Sequence, residues 1–379
     1  AHGIQITKMC ESFALLGHDV TLVIPDRRSP ITESVFSYYG IRENFAIKRL
    51  PTWNPGRITK FSFRVQSWWY ILCVSIVAIM RRDDLVYSRE VAPLLLLALF
   101  GRSFVWEVHT RKDSFVTRSL ASRARRVVAI SSGLADELVS FGIPLERITV
   151  AHDAIDPDEF PSMVEKNILR KALALPFSRP IVGYVGKYRT AGLPKGVDGG
   201  KGVDELMDAF VVMRARVPDA LLLIVGLNPD ELPAVRLRAD LLGIAEHDRV
   251  LVEHVPHARA LMYMSAADVL IMNYPNILHY ARFMSPLKLF EYMASGTPIV
   301  SSDLPSVREV LDETCARLVP PGDTPALADG IAELLSDAGQ RHILARAAGE
   351  RVRARHTWLG RAREILNALV SGEKHRHNQ

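Results

Sequence analysis

The chain has 379 residues, of which 48% are hydrophobic and 23% are charged, and its 47 Lys and Arg against 42 Asp and Glu leave a formal charge of +5. These fractions are those of an ordinary globular protein, and they exclude a disordered chain, a collagen and a coiled-coil rod. At roughly 150 residues per domain, the length predicts two domains. Three widely separated cysteines, Cys10, Cys73 and Cys315, argue against a disulfide framework or a structural zinc site and indicate a reducing compartment.

The first predicted elements are one helix and one strand. Residues 5–16 carry apolar side chains at helical spacing, and residues 19–25 (DVTLVIP) form a short buried strand. The chain begins at Ala1 without a basic start or a continuous apolar core, which is not the pattern of a signal peptide. In a βαβ unit a strand precedes such a helix. We therefore expect the natural protein to be longer at its N-terminus, and this chain to lack the first strand and the start of its glycine loop.

Two apolar runs bear on membrane insertion. Residues 67–80 (SWWYILCVSIVAIM) and 91–100 (VAPLLLLALF) are shorter than the ~20 residues that a helix needs to span a bilayer. We therefore predict buried core helices and no transmembrane segment. The basic cluster that follows comprises Arg111, Lys112, Arg118, Arg123, Arg125 and Arg126. A solvated helix face and a peripheral contact with anionic lipids account for this cluster equally well.

Short apolar strands alternate with amphipathic helices along the rest of the chain. The predicted strands are 84–88, 104–109, 127–131, 148–151, 181–185, 220–225, 250–255, 269–272, 298–301 and 316–319. The predicted helices include 132–141, 203–216, 258–267, 286–294, 340–355 and 358–370. Continuous apolar strands between helices indicate an α/β protein with parallel sheets that are covered on both faces.

A domain boundary is predicted where strand signals stop and proline becomes frequent, between about 156 and 180. We assign residues 1–165 to an N-terminal Rossmann-like domain on the acceptor side, and residues 166–356 to a C-terminal, donor-binding Rossmann-like domain. The last helix, 357–372, is expected to return to the first domain. In doubly wound sheets ligands bind outside the carboxyl ends of the strands, so we expect the chemistry on loops that face a shared central cleft.

Two glycine-containing loops are candidate phosphate sites. Gly3 lies in a predicted strand-to-helix loop, where glycine lets backbone N–H groups approach a phosphate; a tight turn is the alternative. Residues 183–202 (GYVGKYRTAGLPKGVDGGKG) follow a predicted strand directly. Their cations Lys187, Arg189, Lys195 and Lys201 suit a diphosphate, since charge-assisted bonds are strong ones. A mobile surface loop is the alternative for this second segment.

A third candidate loop opens the segment 283–300 (FMSPLKLFEYMASGTPIV). Ser285 is a good N-cap and Pro286 suits the first helical turn. The helix N-terminus would offer the backbone N–H groups of Leu287 and Lys288 to a phosphate. Glu291 is placed to accept hydrogen bonds from a ribose diol, and its apolar neighbours weaken the alternative of a surface salt bridge.

These segments resemble a known family. In chain order they are HGIQITKMCESFALLGHDVTLV, EVHT at 107–110, VVAISSGLADEL, ITVAHDAIDPDEF, VGYVGKY with KGVDELMDAF, and SPLKLFEYMASGTPIVSSDLP. Together they resemble the retaining glycosyltransferases of family 4 (glycosyl transferases group 1), over nearly the whole chain. The resemblance implies the GT-B fold, in which two Rossmann-like domains with parallel sheets face a central cleft.

The resemblance also implies site residues. His109 would line the site of the transferred sugar, and Lys187 and Lys201 would neutralise the leaving diphosphate of a nucleotide sugar. Glu291 would bind the ribose. The donor-binding residues that it implies are Gly3, Gly186, Arg189, Ser285, Pro286, Leu287, Lys288 and Glu291. Among these, Gly3 would let the N-terminal loop close near the diphosphate.

The sequence departs from the family pattern at two places. The family carries two glutamates in an E-x7-E spacing; Glu291 matches the second, but Phe283 stands at the first. Because that first glutamate contacts a hydroxyl of the transferred sugar in the family, the sugar stays open. Lys195 and Lys201 head near-duplicate KGVD segments. We choose Lys201 because GVDELMDAF continues into the predicted helix.

By this resemblance we expect a metal-independent, retaining hexosyltransferase that needs no cofactor besides its nucleotide-sugar donor. The expected acceptor is a glycan or a lipid-linked glycan in bacterial polysaccharide or cell-envelope synthesis, with a cytoplasmic location at the inner face of the membrane. No nucleic-acid partner is predicted. A nucleotide-sugar epimerase, a sugar phosphorylase and a degenerate nucleotide-sugar-binding protein stay open as alternatives.

Overall fold

The computed structural model describes residues 2–27, 31–52, 60–81, 84–110, 114–160, 165–189 and 200–377. They divide into two compact units: unit 1 comprises residues 1–152 and 358–379, and unit 2 comprises residues 153–357. Among the sequence candidates, Arg111, Lys112 and Lys195 lie outside the described residues.

In chain order the helices are α1 (His2–Leu15), α2 (Val35–Tyr39), α3 (Lys60–Met80), α4 (Val91–Leu99), α5 (Phe115–Arg123), α6 (Ser132–Ser140), α7 (Lys166–Ala172), α8 (Val203–Met213), α9 (Leu232–Leu241), α10 (His257–Ala266), α11 (Leu278–Arg282), α12 (Leu287–Ala294), α13 (Pro305–Arg308), α14 (Thr324–Ser336), α15 (Ala338–Arg355) and α16 (Trp358–His377). The strands are β1 (Thr21–Asp26), β2 (Ala46–Pro51), β3 (Val86–Ser88), β4 (Phe104–Val108), β5 (Arg126–Ala129), β6 (Ile148–Val150), β7 (Ile181–Val185), β8 (Leu221–Leu227), β9 (Arg249–Glu253), β10 (Val269–Met272), β11 (Ile299–Ser302) and β12 (Arg317–Val319).

Among its described residues, unit 1 holds two parallel sheets. Strands β1 and β2 pair with each other, and a four-stranded sheet has the order β3-β4-β5-β6. Every residue of β4 (FVWEV) is buried, as expected of an apolar parallel strand covered on both faces. Helix α16, although last in the chain, packs against α1 and β5 of this unit.

Helix α3 is not the buried core helix predicted for residues 67–80. It begins at Lys60, and several of its apolar side chains are exposed: Phe61 is 74% exposed and Trp68 is 68% exposed. Its buried positions include the polar residues Ser62, Gln66 and Ser75. Within the described ranges, Phe61–Met80 is long and apolar enough to cross a membrane by length and composition, a weak criterion that core helices of soluble proteins also meet. Apolar composition predicted the helix, but it does not say which face a neighbour covers.

The basic cluster of unit 1 is only partly a surface feature. Arg118 and Arg123 are exposed on α5. Arg126 is buried, because its guanidinium donates to the carbonyl oxygen of Glu146 at 2.6 Å and to that of Ala368. Arg126 therefore ties β5 to α16, and its predicted place in a surface patch is wrong.

Unit 2 is a doubly wound domain around a six-stranded parallel sheet with the order β12-β11-β10-β7-β8-β9. The chain enters at β7, adds β8 and β9 on one side, and then adds β10, β11 and β12 on the other. Buried apolar clusters line both faces of the sheet, one including Phe290 and the other Phe210. The strand order reverses between β7 and β10, and such a switch point opens a crevice for ligands at the strand ends.

The division between the units falls after His152, earlier than the boundary predicted at 165. Ile155 belongs to unit 2, because its N–H donates to the carbonyl oxygen of His356 at 3.0 Å. Proline-rich composition marks an irregular segment, but backbone hydrogen bonds decide to which unit that segment belongs.

Candidate active site

His109 follows β4 directly, so it lies at the carboxyl end of a buried strand of unit 1. Its Nε2 lies 2.5 Å from Oε1 of Glu107 and 3.4 Å from Nε2 of Gln5, which is on α1. The imidazole is mostly buried. The structure therefore places the predicted histidine where a parallel sheet presents ligand-binding groups.

The carboxylate of Glu107 is the centre of a buried network, and its side chain is 1% exposed. Oε1 accepts a hydrogen bond from the side-chain amide of Gln5, and Oε2 accepts one from the Tyr87 hydroxyl. The guanidinium of Arg361, on α16, forms an ion pair with Oε2 at 3.2 Å. Gln5, Tyr87 and Arg361 are not among the predicted site residues.

Charge compensation keeps Glu107 ionised. Burial by itself raises the pKa of Glu107 and is the largest single cause, but the Arg361 cation together with the hydrogen bonds from His109 and Tyr87 outweighs it. The pKa of this carboxyl group is therefore held below its usual range. Because an ionised carboxylate only accepts hydrogen bonds, Nε2 of His109 carries the proton, and Nδ1 is left as the ring's acceptor when the imidazole is neutral.

Gly3 lies in the first turn of α1, not in the loop that the sequence predicts. A Cβ atom at this position would lie 2.1 Å from the hydroxyl oxygen of Tyr39. Close packing of Tyr39 on the helix therefore requires glycine here. The predicted approach of Gly3 to a diphosphate stays a prediction.

In unit 2, the loop after β7 begins with Gly186, whose φ is +154° and whose N–H donates to the carbonyl oxygen of Val225 at 2.8 Å. A Cβ atom at Gly226 would lie 2.8 Å from the carbonyl oxygen of Gly186, so glycine is needed for this close approach of β7 and β8. Lys187 and Arg189 follow, and both are exposed. Lys187 and Arg189 therefore lie on the loop that follows β7, beside the switch point of the sheet.

Lys201 and Gly202 precede α8 at the same end of the sheet. The N–H of Lys201 donates to the carbonyl oxygen of Tyr188 at 3.2 Å. Gly202 has φ +80°, and the side-chain amide of Asn273 donates to its carbonyl oxygen at 2.6 Å. Asn273 was not predicted, although a polar residue directly after the buried strand β10 is a signal for it. Burial, with a smaller contribution from the charge of Lys187, lowers the pKa of Lys201 to about 8.

Helix α12 begins at Leu287, one residue later than predicted. Pro286 has extended backbone angles and is the N-cap, so it is not in the first turn. Ser285 is not the N-cap: its Oγ accepts a hydrogen bond from the N–H of Asp153 at 2.8 Å. The N–H groups of Leu287 and Lys288 lie in the first turn, where they have no acceptor within the helix.

The side chain of Lys288 is buried among three tyrosines. Its Nζ lies 4.2 Å from the ring centre of Tyr184, 4.5 Å from that of Tyr274 and 6.0 Å from that of Tyr292. Within the described part of the chain, Nζ has no hydrogen-bond acceptor. Burial, together with the charge of Lys201, holds the pKa of Lys288 well below its usual value. Only the backbone N–H of Lys288 was predicted to act in the site.

Glu291 is buried on α12, so it is not the surface glutamate of the alternative interpretation. Its Oε1 lies 2.7 Å from Nε2 of His257, the first residue of α10. Phe283, at the position of the first family glutamate, is buried at the end of α11. His257 was not predicted, because it is 34 residues from Glu291 in the chain.

The structure therefore groups the predicted residues in two sets. Unit 2 brings its candidates to the end of the sheet where β7 and β10 terminate; they are Gly186, Lys187, Arg189, Lys201, Ser285, Pro286, Leu287, Lys288 and Glu291. Unit 1 carries Gly3 on α1 and His109 after β4, and Nε2 of His109 lies 3.4 Å from Nε2 of Gln5 on α1.

Two family models match the chain. The model described as Glycosyltransferase Family 4 matches residues 3–159, and the model described as Glycosyl transferases group 1 matches residues 179–337. Together the two matches span most of the chain.

Characterised relatives also match. The phosphatidyl-myo-inositol mannosyltransferase of Mycobacterium leprae is 38% identical over 179 residues, which are 46% of this chain and 45% of that protein. The D-inositol 3-phosphate glycosyltransferase of Corynebacterium urealyticum is 26% identical over 254 residues, which are 65% of this chain and 56% of that protein. The chain thus spans about half the length of these relatives.

Solved structures share the fold at low sequence identity. The crystal structure of Anabaena HepE in complex with UDP and glucose has a TM-score of 0.72, is 17% identical, and covers 97% of this chain and 95% of that one. The sucrose-phosphate synthase of Thermosynechococcus elongatus has a TM-score of 0.74, is 20% identical, and covers 100% of this chain and 93% of that one. Together with the two family matches, these similarities identify the chain as a member of glycosyltransferase family 4, in group 1, with the two-domain α/β GT-B fold.

Proposed function

We propose that this chain is a retaining, metal-independent hexosyltransferase that moves a sugar from a nucleotide-diphosphate sugar to a glycan or lipid-linked acceptor. No cofactor besides the donor is invoked. The single observation that carries the proposal is the set of groups at the switch point of unit 2: a Cβ atom at Gly186 would lie 3.4 Å from the side chain of Lys288 in the first turn of α12, and the charge of Lys201 acts on that same lysine.

The arrangement suits a leaving diphosphate. As the bond between the sugar and the β-phosphate breaks, negative charge collects on the departing oxygens. Lys187 and Lys201 supply cations, and the N–H groups at the start of α12 supply oriented dipoles, which lower the barrier most where charge develops. In the proposed front-face reaction, the acceptor hydroxyl oxygen forms the new bond to the sugar and its proton passes to the leaving diphosphate.

His109 would contact the transferred sugar. The Glu107 carboxylate fixes the ring and keeps the proton on Nε2, so Nδ1 is the ring nitrogen left for a ligand. The transferred sugar stays open, since Phe283 stands at the position of the first family glutamate. We would screen mannose donors and inositol-containing acceptors first, because two relatives are named a phosphatidyl-myo-inositol mannosyltransferase and a D-inositol 3-phosphate glycosyltransferase.

A cytoplasmic location at the inner face of the membrane is part of the proposal. Helix α3 supports the membrane contact but not the side of the membrane, because Phe61 and Trp68 are exposed whereas its polar residues Ser62 and Gln66 are buried. Phe61→Ser with Trp68→Ser should reduce co-sedimentation with vesicles that contain phosphatidylglycerol, and Leu241→Ser, at an exposed leucine of unit 2, should leave it unchanged. Equal sedimentation of all three proteins would contradict the membrane contact.

The activity is tested with nucleotide sugars and acceptors, ranked first by thermal shift. We expect transfer in the presence of EDTA and a product whose anomeric configuration matches the donor. An inverted linkage would refute the retaining mechanism. Conversion of the donor without any acceptor would favour an epimerase, and tight donor binding without turnover would favour a degenerate binding protein. Glu291→Ala and Lys201→Ala should each abolish most turnover, and unchanged turnover would refute the site.

A further inference from the structure

The contact between His257 and Glu291 joins two elements of unit 2 that are distant in sequence. His257 is the first residue of α10, and its side chain reaches Glu291 on α12 with an Nε2–Oε1 distance of 2.7 Å. The exposed fractions of the two side chains are 22% and 9%, so solvent screens this pair little. A charge-assisted hydrogen bond in such surroundings is among the stronger side-chain contacts.

The charges around His257 favour its protonated form. Burial by itself lowers the pKa of His257, but the hydrogen bond and the charge of Glu291 outweigh burial, and the more remote Glu159 acts in the same direction. The pKa of His257 is therefore raised, and the pair is an imidazolium facing a carboxylate over a wider pH range than an isolated histidine would allow.

The bond to His257 engages only one oxygen of the carboxylate. Within the residues that the structure describes, hydrogen bonds of the Glu291 side chain reach Oε1 and not Oε2. A carboxylate that is held at one oxygen cannot rotate freely, and its second oxygen has a fixed direction. Such a group binds a hydroxyl with less loss of entropy than a free side chain would.

We propose that His257 is a positioning residue, which holds Glu291 in the orientation that accepts hydrogen bonds from the ribose hydroxyls of the donor nucleotide. This inference rests on the proposed role of Glu291 in donor binding. His257 itself contacts neither the sugar nor the phosphates in this proposal; it acts through Glu291.

The test measures affinity for UDP and GDP, and for their 2′-deoxy and 3′-deoxy analogues, by calorimetry. The ratio between ribo and deoxy affinities reports the contact of Glu291 with the ribose. We expect His257→Ala to weaken binding of the ribonucleotides about tenfold, the worth of one charge-assisted hydrogen bond, and to reduce that ratio. His257→Gln should keep most of the ribonucleotide affinity and most of the ribo/deoxy ratio. The glutamine side-chain amide can donate to Glu291 from a position close to that of the histidine Nε2.

A matched control is His254→Ala, because His254 is exposed three residues earlier at the end of β9. It should leave both affinity and the ribo/deoxy ratio unchanged. In the wild type, ribonucleotide affinity should fall as pH rises through the raised pKa of His257, and this component should be absent in His257→Gln. If His257 had a purely structural role, affinity would show no such dependence on pH. His257→Ala would then weaken binding of the ribonucleotides and of the deoxy analogues equally.

The outcomes separate the two proposals. If Glu291→Ala leaves the ribo/deoxy ratio unchanged, the assignment of the donor site fails. If Glu291→Ala brings the ribo/deoxy ratio close to one but His257→Ala behaves like His254→Ala, only the role of His257 is overturned. If His257→Ala does not fold, the ratio and the pH profile of His257→Gln decide: a pH profile equal to that of the wild type overturns the inference.

Discussion

Oε1 of Glu107 lies 2.5 Å from Nε2 of His109, two residues further along the chain. Side chains two residues apart in a strand point to the same face, so the E-x-H spacing at the end of β4 itself brings the two groups together. The cation that stabilises the pair, Arg361, comes from α16 near the other end of the sequence.

Removing this cation should destabilise unit 1. Arg361→Met leaves the buried carboxylate of Glu107 without its ion-pair partner, which typically costs about 3–5 kcal/mol. We expect the free energy of unfolding, measured with urea, to fall by this amount. The matched control is Arg346→Ala, which breaks the Arg346–Glu350 pair; both side chains are largely exposed, and the loss should be below about 1 kcal/mol.

The same variants test whether the pair acts as a unit. Glu107→Gln combined with Arg361→Met removes both buried charges, so the double variant should be more stable than the sum of the two single changes predicts. Strictly additive losses would contradict a direct contact between Glu107 and Arg361.

Acid should weaken the wild type in part through Glu107. The pKa of Glu107 is lower in the folded chain than its ordinary value of 4.5, so its contribution is fully present above pH 4.5 and is lost as the pH falls toward the folded-state pKa. The free energy of unfolding should therefore fall more steeply below pH 4.5 in the wild type than in Glu107→Gln. Parallel pH profiles would show that Glu107 titrates normally in the folded state.

Alkaline pH should weaken binding of a nucleoside diphosphate through Lys201. Because the pKa of Lys201 is lowered to about 8, the side chain loses its charge between pH 7.5 and 9.5, where the charge of the diphosphate is constant. We expect the affinity for UDP to fall about tenfold over this range, the worth of one charged hydrogen bond. Lys201→Arg, which stays charged, should bind UDP with a flatter profile, and Lys201→Met should bind weakly throughout. An identical slope in Lys201→Arg would assign the titration to another group.

Glycine at position 202 should be essential for the start of α8. A Cβ atom there would lie 1.9 Å from the carbonyl oxygen of Asn273, and φ is +80°. Gly202→Ala should lower the free energy of unfolding by about 2–4 kcal/mol, because the strain of a positive φ and the clash with the backbone both destabilise the variant. Gly243→Ala is the matched control: its φ is +70° but nothing lies within 4 Å, so about 1 kcal/mol is expected. Equal losses in the two variants would contradict the clash with Asn273.

Local sequence patterns were sufficient to predict the architecture and several individual site residues. The alternation of apolar strands with helices predicts the parallel sheet of unit 2, with β7 and β10 at or within a residue of their observed bounds. Lys201 could be distinguished from Lys195 because a strong helix pattern follows it. These features are encoded within a few residues of one another, where spacing and propensity apply.

Features that depend on a neighbour were missed or wrong. Ser285 is a residue type that favours the N-cap, but its hydroxyl accepts a hydrogen bond from the N–H of Asp153 instead. The apolar run of α3 was predicted to be buried, yet Trp68 is exposed.

The sequence by itself determined the α/β class, the family and the residue types at the strand ends, because each depends on local periodicity and motif spacing. Only the tertiary structure decided which groups face one another. It pairs Glu107 with Arg361 and Glu291 with His257, and it encloses the Lys288 amine in tyrosine rings. Burial and charges from distant parts of the chain set the pKa values of Glu107, His257 and Lys288, and neither is a property of a short segment of sequence.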